Sequence, residues 1–190
     1  MSQSILLSLD FSLENISECE GVTPQLMIAY IQKQNLFVLE AFGCADFIIN
    51  NPVIGVFHIT MLNTDFNEAL QKVTRAMINL NIYMQYFNKW AISEGMPSAN
   101  YHIGMTYGDL IIREKKMIGL LISESSELAS FAKSYSVRLV IDDGFFSQNY
   151  SQFNSIGKIE RINLKLSFKH KRVIRFFNDD DINKLNDRLK

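Results

Sequence analysis

Between Phe66 and Phe87, apolar residues recur at three- and four-residue intervals: Phe66, Leu70, Val73, Met77, Leu80, Met84 and Phe87. Only an α-helix gathers such positions onto one face, and an apolar stripe of that length must be covered by another layer. Short apolar runs on either side, Val53 to Met61 and Tyr101 to Thr106, supply strands that can form that layer. Asp65 and Glu68 resemble a capping box at the helix start, and Gly95-Met96-Pro97 breaks it at the end. The Met and aromatic members of the stripe therefore read as core. Tyr86 and Trp90 near its end read as partly buried, a contact patch being the alternative.

The rest of the chain repeats this alternation. Ile5 to Phe11 reads as a buried strand, and Thr23-Pro24 as the cap and first position of a helix carrying Leu26, Ala29, Tyr30, Phe37 and Ala41 up to Gly43. Phe47 to Ile49 and Val53 to Met61 flank the turn residues Asn50-Asn51-Pro52. Tyr101 to Thr106 and Asp109 to Arg113 are predicted to pair as a hairpin around Tyr107-Gly108. A helix follows over Ser123 to Ser134, then a strand at Val137 to Ile141, a short helix at Phe145 to Tyr150, and strands at Ile156 to Leu166 and Arg172 to Phe177. Asp179 to Lys190 reads as an exposed terminal helix. The order β-α-β-β-α-β-β-α-β predicts an α+β, ferredoxin-like domain over residues 1–178, a mostly antiparallel sheet with helices packed on one face, and a helical extension over 179–190.

Composition narrows the partners. With 47% hydrophobic and 21% charged residues the chain supports a packed core, and a net charge of -1 gives no general attraction to nucleic acid or anionic membrane. The basic stretch Lys165, Lys169, Lys171, Arg172 and Arg175 alternates with apolar residues and reads as a solvated strand face. Cys19 and Cys44 lack disulfide-framework or metal spacing and read as free thiols. Met1-Ser2-Gln3-Ser4 carries no basic signal-peptide region, and no apolar run reaches the ~18 residues of a membrane span, so a cytoplasmic protein is expected. Asp10, Glu14, Glu18 and Glu20 read as a solvated loop rather than a cation site. His58, His102 and His170 have no nucleophile at a recognisable spacing.

The segment His102-Ile103-Gly104-Met105-Thr106-Tyr107-Gly108-Asp109-Leu110-Ile111-Ile112 resembles the glycine-pinned hairpin of class III adenylyl/guanylyl cyclase domains. Gly104 and Gly108 stand at both family glycines, and Thr106 replaces the family histidine. Met117 to Ser123 resembles the family's V-I-G-D-x-V-N, Glu124 to Ala132 its next helix, and Val137 to Ile141 its I-L-I-S strand. Ile156-Gly157, Leu164-Lys165 and Val173 to Phe176 resemble its carboxy-terminal pattern. Leu9-Asp10-Phe11 resembles the first strand with its metal-binding aspartate, and Asn50 to Phe57 the second hairpin. The resemblance spans nearly the whole chain in order.

Cyclase chemistry uses two divalent cations, held by two aspartates, to activate a ribose hydroxyl and neutralise a triphosphate. Asp10 stands at the first aspartate; Asn51, neutral, stands at the second. Where the family cradles phosphate in a G-F-[ST] turn, this chain has Leu13, Glu14 and Asn15. Ser123 matches the ribose-orienting asparagine, and Glu127 the arginine that stabilises developing charge, which reverses the sign required there. Phe47 matches the base-recognising lysine, and its aspartate partner falls near Glu114. The resemblance thus implies a pseudoenzyme with no catalytic residue, cofactor or metal, Asp10 being the retained metal candidate. It implies a protein-interaction or regulatory module, with a homodimer or another protein as partner, no nucleic acid, no membrane insertion and nucleotide binding in doubt. Two alternatives remain: a non-catalytic nucleotide or small-ligand sensor, and residual cyclase activity through atypical residues.

Overall fold

The computed structural model describes residues 2–16, 21–51, 56–62, 66–113, 116–142, 156–163 and 171–188. β1 (Ser2–Glu14) is the spine of the sheet. It pairs antiparallel along its whole length with β4 (Ser98–Arg113) and, on its other side, with β3 (Val56–Leu62). β2 (Phe47–Asn51) lies outside β3. Beyond β4 come β6 (Leu139–Asp142), parallel to it, then β8 (Lys171–Phe177) and β7 (Lys158–Asn163), both antiparallel to their neighbours. The order β2-β3-β1-β4-β6-β8-β7 contains the ferredoxin-like set β2-β3-β1-β4, as the sequence predicts.

Side chains alternate across a strand, so β1 and β4 each feed two layers. Ile5, Leu7 and Leu9, with Tyr101 and Ile103, are buried in one core with α1 (Pro24–Ala41) and α2 (Phe66–Ser93), whose Val73, Met77, Leu80, Met84 and Phe87 form the expected stripe. Thr23 caps α1 by accepting from the Leu26 N–H at 3.2 Å, with Pro24 at the first position. The even-numbered residues face the opposite layer, where α3 (Leu120–Ser134) lies: Ser8 Oγ is 2.7 Å from Ser125 Oγ. Helices therefore cover the expected face through α1 and α2, and α3 adds a second layer on the other.

Four local expectations change. First, no hairpin forms at Tyr107-Gly108. β4 runs unbroken to Arg113, and its hairpin partner is β5 (Lys116–Ile118), with Ile111 opposite Ile118. Gly104 serves packing instead: a Cβ there would lie 2.1 Å from Ser125 O and 2.3 Å from Ala129 N. Second, β1 continues through Leu13 and Glu14, still laddered to Ala99 and Ser98, so no phosphate-type turn opens at those two residues. Third, the terminal helix α4 (Asp179–Arg188) is not an exposed appendage: Ile182 and Leu185 are buried in the main core against α2. Asn178 and Asp181 cap it reciprocally, Asp181 N–H to Asn178 Oδ1 at 2.9 Å and Asn178 N–H to Asp181 Oδ2 at 3.2 Å. Fourth, Arg175 is fully buried rather than part of a solvated face; its Nη1 donates to Ile156 O at 2.7 Å and its stem lies under Gly157.

The expected features at Asp65, Glu114, Phe145 to Tyr150 and Leu164 to His170, with Glu18, Cys19 and Glu20, lie outside the described residues. Cys44 is a free, exposed thiol. Among the described residues no helix is long and apolar enough to cross a membrane.

Candidate functional site

The β1–β4 register puts Asp10 opposite His102, Ser12 opposite Asn100 and Glu14 opposite Ser98. All are even-numbered and share the α3 face of the sheet. Over them stands the last turn of α3 with Lys133, followed by Ser136 in a left-handed conformation (φ 52°) that turns the chain into Val137 and Arg138. Asn178 and Asp179, at the start of α4, close the far side. Apart from Asp10 and Ser98, these residues line an open cleft of about 310 Å³, which Asp10 adjoins through Lys133.

Two ion pairs organise it. Lys133 Nζ lies 3.3 and 3.2 Å from the two Asp10 carboxylate oxygens and 2.8 Å from the Phe11 carbonyl. Arg138 Nε donates to both Asp179 oxygens at 3.1 and 3.2 Å, and its Nη1 to Asn100 Oδ1 at 3.2 Å, while the guanidinium lies 4.7 Å over the Tyr101 ring. Asn100 in turn donates from Nδ2 to Glu14 Oε1. Burial pushes the Tyr101 hydroxyl well above its ordinary pKa, and the group donates to Met77 O at 3.3 Å.

His102 bridges the β-ladder and the loop after α3. Its Nδ1 lies 2.9 Å from Val137 O, which can only accept, so Nδ1 carries the proton and Nε2 receives the Ser12 hydroxyl at 2.8 Å. Burial, the largest cause, lowers the His102 pKa, and this neutral tautomer is the one the two partners select. His58 is likewise lowered by burial, with Nδ1 2.9 Å from Ser8 Oγ. Ser8 is itself fully buried beneath α3, so that pair is structural.

No sequence-family model matches the chain, and no curated relative does. Solved structures match throughout. A guanylyl cyclase, Cya2, aligns over 93% of both chains at TM-score 0.68 and 12% identity; the adenylyl cyclase CyaB from P. aeruginosa aligns over 94% of both at 0.64 and 14%. The chain has the class III nucleotidyl cyclase fold. A non-canonical dimeric guanylyl cyclase domain of the RhoGC fusion protein from the aquatic fungus Blastocladiella emersonii shares it at TM-score 0.56 and 11% identity, over 92% of this chain and 93% of that one.

Placed on the cyclase fold, the singled-out positions divide into two groups. Leu9, Phe57 and Asn50 form one cross-strand row, so Asn51 belongs to the next row with Asp10, two strands away, about 10 Å between backbones. Ser123 and Glu127 lie on α3 one turn apart, the first exposed and the second half-buried. Ser123 is ten residues, about 15 Å of helix, from Lys133, so one chain does not bring it to Asp10. Phe47 begins β2 opposite Thr60, and Asn15 follows β1 in a left-handed conformation (φ 59°). The residues present do not fit a pair of divalent cations. Asp10 already holds an ammonium, and among the described residues no group of three or more His, Cys, Asp or Glu could ligate a metal. Sequence reasoning missed Lys133, Arg138 and Asn100. Asn100 and His102 carry the even-number parity of Gly104 on β4, a usable signal; nothing local marks Lys133, 123 residues from its carboxylate.

Proposed function

We propose that the chain is a catalytically inactive cyclase-fold domain that acts by binding protein through the surfaces on which cyclase domains pair, a second copy being the first partner. The observation that carries this reading is the half-buried Glu127 on α3, whose Oε2 is withdrawn from water at the position where the family resemblance calls for a guanidinium. A carboxylate fixed there raises the energy of a transition state that accumulates negative charge on phosphate. The interaction role draws support from Ile118 and Leu120, which stand 53% and 69% exposed where the β4–β5 arm meets α3.

The test has two parts. Purified protein incubated with ATP or GTP and Mn²⁺ yields no cyclic nucleotide by chromatography; product that disappears in Asp10→Ala overturns the reading. Light scattering gives a dimer that I118D/L120D converts to monomer; a monomer at all concentrations, with no partner recovered by cross-linking, removes the interaction role. The cleft beside His102 supports a second reading, a small-ligand sensor. That reading requires a rise in Tm with some nucleotide at millimolar concentration.

A further inference from the structure

The Asp10 carboxylate and the Phe11 carbonyl converge on one point from the same strand. Two oxygens of an anionic group and one of the main chain form a half-shell of hard oxygen donors, the arrangement that holds Mg²⁺, Mn²⁺ or Ca²⁺ in proteins. The point is filled from the chain itself: Lys133 Nζ touches all three oxygens at 2.8 to 3.3 Å. The lysine reaches it from the last turn of α3, whose position is set independently by the close approach of Ser125 and Ala129 to Gly104. Its stem is therefore tethered where the head group can reach.

We propose that the Lys133 ammonium is a built-in substitute for a metal ion, occupying the Asp10–Phe11 oxygen site and excluding divalent cations from it. This deepens the inactive-domain reading and rests on it. An ammonium supplies one positive charge, is saturated by the donors it contacts, and has no vacant coordination position to offer a phosphate oxygen or a ribose hydroxyl. A divalent ion has both the extra charge and the open positions. The site is thus neutralised for folding while being closed to metal chemistry, and β1 is pinned to the end of α3 in the same contact.

Mn²⁺ titration followed by electron paramagnetic resonance, in which bound ion loses the free-ion signal, tests this on the full chain. The wild type is expected to leave Mn²⁺ free, and Lys133→Ala and Lys133→Glu to bind it at least tenfold more tightly. Asp10→Asn placed on either variant is expected to abolish the gain. Wild-type binding as tight as that of the variants, binding that survives Asp10→Asn, or no gain in Lys133→Ala each overturns the proposal. Lys133→Ala removes an exposed side chain at a helix end, so its fold is checked by circular dichroism, and it carries the test if Lys133→Glu does not fold. Cyclic nucleotide made by the wild type would sink the inactive-domain reading. Mn²⁺ bound by the wild type without product would sink only the substitution.

Discussion

A methyl group at position 104 would overlap the backbone of α3, since its nearest neighbours, at 2.1 and 2.3 Å, are main-chain atoms that cannot rotate away. Gly104→Ala is therefore expected to lower unfolding stability by about 3 kcal/mol in urea titrations. Gly108→Ala is expected to cost far less, because the nearest atom there is the flexible end of Leu121 at 3.3 Å. His102 sets a pH dependence. Burial holds its folded pKa below the ordinary 6.5, so in acid the unfolded chain takes up a proton that the folded chain resists. Stability is full above about pH 6.5 and falls as the pH drops from there through the folded value; His58 acts in the same direction. Thermal melts between pH 7.5 and 5 should show the decline, and His102→Gln should flatten it. A slope unchanged in that variant would assign the effect elsewhere.

At the scale of elements, α4 behaves as part of the core. Leu185 is fully buried, so Leu185→Ala should destabilise by about 3 kcal/mol, and Asn178→Ala, which removes the cap, by about 1 kcal/mol. Calorimetry of both variants checks the ranking. A chain ending at Asn178 should fold poorly, where an appended docking helix would be dispensable. The helices were legible because a 3.6-residue stripe and a Thr-Pro start are local signals: α1 begins at Pro24, and α2 carries Met77, Met84 and Phe87 as read. The extension of β1 was not legible. Ser12 and Glu14 are polar, and only their β4 partners show that the strand continues. Gly108 misled for a related reason: glycine marks turns and close approaches alike, and only the presence of α3 tells them apart. Of the candidate site, Asp10 was singled out through the family resemblance. The ammonium that meets Asp10 was not, because a contact spanning 123 residues leaves no periodic trace.

For the molecule as a whole, the proposal separates a cyclase-type architecture from the side chains set upon it, and the two can be varied separately. Replacing Glu127 by Arg and Asn51 by Asp together should leave the far-ultraviolet spectrum and the light-scattering mass unchanged, since Glu127 is half-buried, outside the fully buried positions of α3, and Asn51 ends an edge strand. Loss of the folded spectrum would show that the rewritten positions also hold the domain together. The longest ladder in the sheet has a further consequence, for biosynthesis. Ser2 pairs with Leu110 and Glu14 with Ser98, so β1 waits for a strand made about a hundred residues later. At about 5–20 residues per second of translation, roughly 5–20 s pass before its central partner is complete. Through that interval β1 offers an unsatisfied, water-averse ribbon to chaperones and to neighbouring nascent chains, and a ribosome stalled before residue 98 should leave it open to protease.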